Sequence, residues 1–391
     1  MTLPRILLAA TLPLLGIGIA VARGKKAVEA DVPVPVPAVV TEPAPVPPAE
    51  PAPSLFPAGL PVVIDSLPPG VASLSAQSCN ACHWTAHDTW ETSAHAVAWA
   101  DPLYQAALRS AGNSTTCLSC HLPVAAQHDR LANGYIDGDL SRPRLEANAS
   151  FDATLMSEGV SCVACHVREG KVLGTYASDN APHPLVKSEE LSSSALCATC
   201  HQLSWPEADR PFYDTYGEWE ASAYAKAGVD CLDCHMAPVA GVSQPGVKGT
   251  VNAHVSATGL DRALTTLVTL PGASLQRGQA VPVTVTLLNS GAGHSVPTGN
   301  PFKKYAIEVV LLDAAGKELA PPQGFSLSRT VDSTPPWRTT HDDRLRAGDK
   351  REWTGTLTPN AKGLAGAGAL VVRARRDASV TELRRIPIDI R

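Results

Sequence analysis

Large aromatic side chains are scarce in this chain. It has five phenylalanines in 391 residues, and Phe, Tyr and Trp together make up 5% of it. A chain of this length has room for two or three domains, whose cores would ordinarily be built on such rings. Something other than Phe and Tyr therefore fills part of the interior. Methionine is also nearly absent, with Met156 and Met236 the only two beyond Met1. Nor is there a surplus of positive charge. The formal net charge is −5, which excludes the basic footprint of a nucleic-acid binder.

Cysteine, by contrast, is plentiful and strictly ordered. The ten cysteines fall as Cys79/Cys82, Cys117/Cys120, Cys162/Cys165, Cys197/Cys200 and Cys231/Cys234, and a histidine follows each pair at once: His83, His121, His166, His201 and His235. Cys-x-x-Cys-His is the spacing of c-type haem attachment. The two thiols add to the two porphyrin vinyl groups, and the next residue turns its imidazole toward the iron as proximal ligand. A zinc ribbon needs four thiolates per metal, hence an even number of pairs, and gives no reason for a histidine after each. Structural disulfides are compatible with an exported chain but do not impose the histidine either. Five covalently bound haem c groups are therefore expected between residues 72 and 260. They would supply the apolar interior that the aromatics do not.

Each iron needs a second axial partner or stays open. Methionine is a poor candidate, because Met236 adjoins a proximal histidine and cannot reach across that ring. Seven histidines lie outside the motifs. Five of them are predicted to be sixth ligands. His95 ends "WETSAH" on a helix after the first motif, and His128 lies seven residues past His121. His183 sits in "APHPLV", His254 in "VNAHVSA" and His294 in "GAGHSVPTGNP". His87, one helical turn from His83, and His341, among charges in "TTHDDRL", are weaker candidates. With five such ligands every iron would be bis-histidine and of low potential, with no position open to a substrate. His294 would further require the C-terminal region to dock on the haem-bearing one.

The flanking regions set the compartment. Residues 1–22 read "MTLPRILLAATLPLLGIGIAVA", one Arg before an apolar run that ends in small residues, which is the pattern of a secretory signal peptide. An uncleaved anchor is the alternative, but Arg23, Lys25 and Lys26 would then hold the rest of the chain in the cytoplasm, where haem is not attached. A periplasmic or otherwise extracytoplasmic location follows, with an N-terminal tether left open. Residues 23–71 form a proline-rich linker, thirteen prolines lying between 31 and 70, which favours a semi-rigid polyproline spacer. Residues 72–260 read as a mostly α or irregular multihaem domain. Residues 261–391 change to β-branched, roughly alternating stretches such as "VPVTVTLL" and "KYAIEVVLLD", with a hairpin turn at "DAAGKE". About seven such strands predict an immunoglobulin-like sandwich.

"SCNACHWTAHDTWETSAH" resembles the cytochrome c554 family of multihaem cytochromes, in which the haem motif is followed by Trp-x-x-Ser-x-His, here Trp90, Ser93 and His95. "GVSCVACH" and "TYGEWEASAYAKAGVDCLDCHMAP" look like later segments of that family, and "GAGHSVPTG" is similar to a turn in the C-terminal β domains of related cytochromes. The resemblance implies closely stacked haems, electron transfer, and His95 as a distal ligand. Cytochrome c554 itself has four haems and no sandwich, and its family includes a haem without a sixth protein ligand. Five-haem nitrite reductases typically carry Lys in place of one motif histidine, a substitution not made here. The expectation is an exported pentahaem electron carrier between redox protein partners or quinol-linked membrane donors. The alternatives are an oxidoreductase with one open haem acting on nitrite, hydroxylamine or a sulfur oxyanion, and a unit of a conductive filament.

Overall fold

The computed structural model describes residue 56 and residues 61–391, except 113, 205–207, 256–258, 333 and 335. The expected signal peptide and most of the proline-rich linker lie outside the described residues. None of the described helices is long and apolar enough to cross a membrane.

The first half is built of short helices: α1 (Ala76–Glu91), α2 (Pro102–Ser110), α3 (Thr115–His121), α4 (Ala153–Ser157), α5 (Cys162–His166), α6 (Ser194–His201), α7 (Thr215–Glu220), α8 (Ala223–Lys226) and α9 (Cys231–His235). Four of the five Cys-x-x-Cys-His motifs end a helix at their histidine. In the fifth, α1 leaves helical geometry at His83 itself (φ −111°, ψ 42°). Residues three apart on a helix share a face, so each pair of thiols lies on one side of its turn. Local caps start these helices. Asp101 accepts from the amides of Leu103 and Tyr104 behind Pro102 at the first turn of α2, and Ser193 accepts from Ala195 at α6, which satisfies donors that the helix leaves unpaired.

Two features depart from the sequence reading. His95 was expected on a helix but lies in the turns after α1, where Ser93 Oγ accepts from the Ala96 amide and the His95 carbonyl accepts from Val160. The region also holds hairpins, Arg130–Ile136 with Asp139–Ala147 and Pro238–Gln244 with Val247–Asn252. Their weak alternation and interior glycines hide them from a pattern reading.

A final short helix, α10 (Leu260–Ala263), leads into the β-rich region. All seven alternating stretches form strands, joined by the short Ser274–Leu275 and Thr339–Asp342. One sheet has three antiparallel strands in the order Leu264–Thr269, Val281–Asn289, Lys350–Leu357. The other runs Ser274–Leu275, Ser379–Ile390, Gly366–Arg376, Lys304–Leu312, Gln323–Val331, Thr339–Asp342. Strand Val281–Asn289 buries alternate residues, as a strand with one face on a core must. Twenty buried apolar residues from both sheets form one cluster around Val285, Leu287, Val309, Leu311, Leu327 and Leu370. Asp313 closes the "DAAGKE" turn by accepting from Ala315 and Lys317, and Gly316 there adopts φ +79°, which glycine tolerates best.

The helical half has no comparable core. Its cluster contains five residues: Val124, Leu155, Val163, Ala164 and Val167. The β-rich half is thus stabilised by its own side chains, and the helical half must bury something else. Leu287→Ala is expected to cost about 2–5 kcal/mol, seen as a lower urea midpoint in the far-ultraviolet circular dichroism of the β signal.

Candidate metal centres

Each motif sets its histidine at the end of a helical turn, and in three of them a backbone carbonyl fixes the ring. His83 Nδ1 donates to the Ser243 carbonyl at 2.7 Å, His121 Nδ1 to Ala98 at 2.7 Å and His166 Nδ1 to Leu173 at 2.9 Å. Outside the motifs, His254 Nδ1 donates to Asn252 and His294 Nδ1 to Ser295, both at 3.0 Å. With the proton on Nδ1, Nε2 presents its lone pair outward, which is the orientation a metal requires.

The rings meet in pairs. His83 faces His183 with ring centres 6.1 Å apart, His95 faces His201 at 6.3 Å, His166 faces His254 at 6.2 Å and His235 faces His294 at 6.1 Å. These gaps are too wide for stacking and too regular to be incidental. Two metal–nitrogen bonds of about 2.0 Å, plus about 1.1 Å from each nitrogen to its ring centre, span ~6.2 Å. Each pair thus holds the width of one metal ion bound from opposite sides.

The protein offers nothing in the plane between the rings. Among the described residues no group of three or more His, Cys, Asp or Glu is placed to hold a bare ion, so a tetrahedral zinc site is not provided for. A porphyrin brings its own four equatorial nitrogens and needs only the two axial ones. The ten thiols form no disulfides, and the residues present fit covalently bound haem c.

Burial favours the neutral form of six of these imidazoles. It pushes His95, His166, His183 and His235 below the ordinary histidine range, and takes His201 and His254 down to about 4, with neighbouring imidazoles adding to the effect. Neutral imidazole is the ligating form.

The second motif differs. Among the described residues no imidazole stands opposite His121. Its ring is stacked face to face on Tyr104, centres 3.6 Å apart and planes 5° apart, with Trp99 edge-on to Tyr104 at 6.2 Å. The Tyr104 hydroxyl is buried without a hydrogen-bond partner. Burial and then the nearby Cys117 and Cys120 push both Tyr104 and Tyr213 above the ordinary phenol range. No feature of "DPLYQ" or "PFYDT" marks these tyrosines in the sequence.

His128, predicted as a sixth ligand, is not brought to any motif imidazole. Its Nε2 donates to the Leu122 carbonyl at 2.6 Å, so the atom that would bind iron is already engaged. His87 is buried against Trp90, ring centres 5.4 Å apart, and His341 Nε2 faces Asp343.

The five motifs form a connected array. The thiol of Cys79 contacts Cys162, Cys120 contacts Cys200, and Cys197 contacts Cys231. The third and fourth motifs adjoin as well, since Cys165 raises the pKa values of Cys197 and Cys200, and His95 lies near His254. The order in space is first, third, fourth, fifth, with the second attached at the fourth. Among the cysteines Cys234, in the fifth motif, is exposed and the other nine are half-buried.

Cys82 is a half-buried free thiol in the middle of α1, one residue before that helix leaves helical geometry at His83.

Comparison with known proteins agrees with this geometry. Residues 78–138 match the sequence profile of the family described as cytochrome c554 and c-prime. A penta-heme cytochrome c552 from Thermochromatium tepidum superposes with a TM-score of 0.58, covering 82% of this chain and all of that one at 19% identity. The chain therefore shares the fold of a multihaem cytochrome. The CARDB domain of the PF1109 protein from Pyrococcus furiosus aligns over 32% of this chain and 86% of its own at 14% identity, but with a TM-score of only 0.21, too slight to identify the β architecture. No curated protein matches the chain.

His128→Leu is expected to leave the visible and electron paramagnetic resonance (EPR) spectra of the haem-loaded protein unchanged, at a stability cost of about 1–3 kcal/mol from the unsatisfied Leu122 carbonyl. His254→Leu is expected to convert one low-spin iron to high-spin.

Proposed function

We propose that the chain is an exported pentahaem c-type cytochrome that relays electrons between redox partners. The four imidazole pairs at 6.1–6.3 Å carry this reading. Bound haem supplies one-electron exchange at each iron. The chain's own part is to hold it. Cys79/Cys82, Cys117/Cys120, Cys162/Cys165, Cys197/Cys200 and Cys231/Cys234 anchor the porphyrins, and His83, His121, His166, His201 and His235 are the proximal ligands. His183 serves the first motif, His254 the third, His95 the fourth and His294 the fifth. Two imidazoles saturate an iron and leave it no site for bond chemistry, so these four centres pass electrons only. The thiol contacts between motifs support close packing along the array, and exposed Cys234 marks the fifth motif as one point of exchange with a partner. The partners are redox proteins or quinol-linked membrane donors. The compartment is extracytoplasmic, in keeping with thioether attachment and the N-terminal sequence.

The domain boundary near residue 260 belongs to the same reading. So does an immunoglobulin-like sandwich for the β-rich part. The strand order of its two sheets corresponds to that of a variable-type immunoglobulin domain lacking one strand of the smaller sheet.

A second reading rests on the second motif. With Tyr104 and Tyr213 beside it and no imidazole opposite His121, its iron is open to a small ligand, and an oxidoreductase acting on nitrite, hydroxylamine or a sulfur oxyanion is then admitted. Among the described residues its thiol contact is with the fourth motif, so electrons for such a reaction would pass through the centre held by His201 and His95.

The two readings separate in one experiment on protein matured in a host that attaches c-type haem. Its mass should rise by five haem equivalents, and EPR of the oxidised form should count four low-spin irons and one high-spin. Carbon monoxide should bind the reduced form at one equivalent per chain. Colourless or zinc-bearing protein overturns the proposal. Five low-spin irons and no carbon monoxide uptake remove the second reading alone.

A further inference from the structure

His294 is the one distal histidine supplied by the β-rich part. It sits in the turn between strands Val281–Asn289 and Lys304–Leu312, and its ring lies 6.1 Å from that of His235 with planes 13° apart. The turn has little regular structure, so its position depends on what holds it. From its own side, Asn289 Nδ2 donates to the His294 carbonyl at 2.8 Å and the Gly291 amide to the Ala263 carbonyl at 3.0 Å. The other side is held from the helical half.

Glu218 on α7 is central to that hold. One carboxylate oxygen accepts from the Ser295 amide at 3.1 Å and from the Thr298 hydroxyl at 2.7 Å. The other accepts from Arg344 Nη1. The two side chains are nearly enclosed, 10% exposed for Glu218 and 7% for Arg344. Arg344 is aligned in turn by Asp342, whose oxygens take its Nε and Nη2 at 2.8 and 2.9 Å. Next to Glu218, the Trp219 and Tyr224 rings lie against Gly293, where an added Cβ would come within 3.2 Å of the first and 3.4 Å of the second, and the Tyr224 hydroxyl donates to the Ser290 carbonyl at 2.6 Å. A buried carboxylate is costly unless its oxygens are filled. Here two of the donors that fill them belong to the residues just after His294.

We propose that Glu218 is the positioning residue of the fifth centre, the group through which the helical half holds the β-rich turn so that His294 stays opposite His235. The inference rests on His294 being an iron ligand, as proposed above. α7 thus makes the docking of the β-rich part and the completion of one iron's coordination a single event. The ion pair with Arg344 ties the turn to the strand segment following Thr339–Asp342, so the turn cannot slide away without stripping a buried charge of its partners.

The test uses the full-length, haem-loaded protein with EPR and carbon monoxide titration. His294→Ala is the reference, and should add one high-spin iron and one equivalent of carbon monoxide, both reversed by added imidazole. Glu218→Ala should give the same added signal and the same imidazole rescue, although His294 is still present. Thr298→Val, a milder change, should accelerate displacement of the native ligand at that iron about tenfold. It decides the matter if Glu218→Ala yields no loaded protein. If His294→Ala leaves the spin states unchanged, the ligand reading itself fails. If His294→Ala acts but Glu218→Ala and Thr298→Val behave as wild type, Glu218 has no positioning role and the proposal is overturned.

Discussion

The constraint on which the helical half depends is the fixed gap between facing imidazoles. In each of the four pairs a histidine inside a motif meets one from a distant part of the chain: His83 with His183, His95 with His201, His166 with His254, His235 with His294. Closing such loops costs entropy, and the five-residue apolar cluster of that half supplies little to offset it. Metal bonds through a porphyrin offset it directly, in the way that ligand binding becomes folding energy in small metalloproteins. The β-rich half needs no such help, because twenty buried apolar residues close its core.

The legible parts of the sequence were those with rigid local rules. Cys-x-x-Cys-His fixes a covalent geometry within five residues, so the candidate attachment sites could be read outright. What the spacing does not encode is how each thiol sits among the others: Cys79 meets the third motif and Cys120 the fourth. The alternation of "VPVTVTLL" and its fellows reports one buried face, and all seven stretches proved to be strands. The distal histidines were readable only as candidates. His95, His183, His254 and His294 do face motif rings. His128 does not, because its Nε2 is engaged by the Leu122 carbonyl, and no sequence pattern encodes where a carbonyl six residues away will point. Tyr104 was invisible for a related reason: stacking on His121 is a property of the assembled fold.

Electrostatics divide the molecule in the same way. Burial favours neutral imidazoles at His166, His201 and His254, whereas the junction between the halves is ionic, with Glu218, Arg344, Asp342 and Arg210 linked in sequence. Buried ion pairs are weak contributors to net stability but severe when one partner is removed. Such a junction enforces a particular alignment more than it adds strength, and one partner of the alignment carries His294.

The interleaving of the pairs dictates an order of assembly. As the chain emerges N-terminus first, His83 waits for His183, His201 has His95 already at hand, and His166 waits for His254. The ring facing the fifth motif is the last to emerge, and it belongs to a β-rich part that must first build its own sheets. With His294 as the proposed ligand, the β-rich part acts as a closing latch: until it has folded, the exposed end of the array is unfinished, and a truncated or stalled chain would carry that end still open.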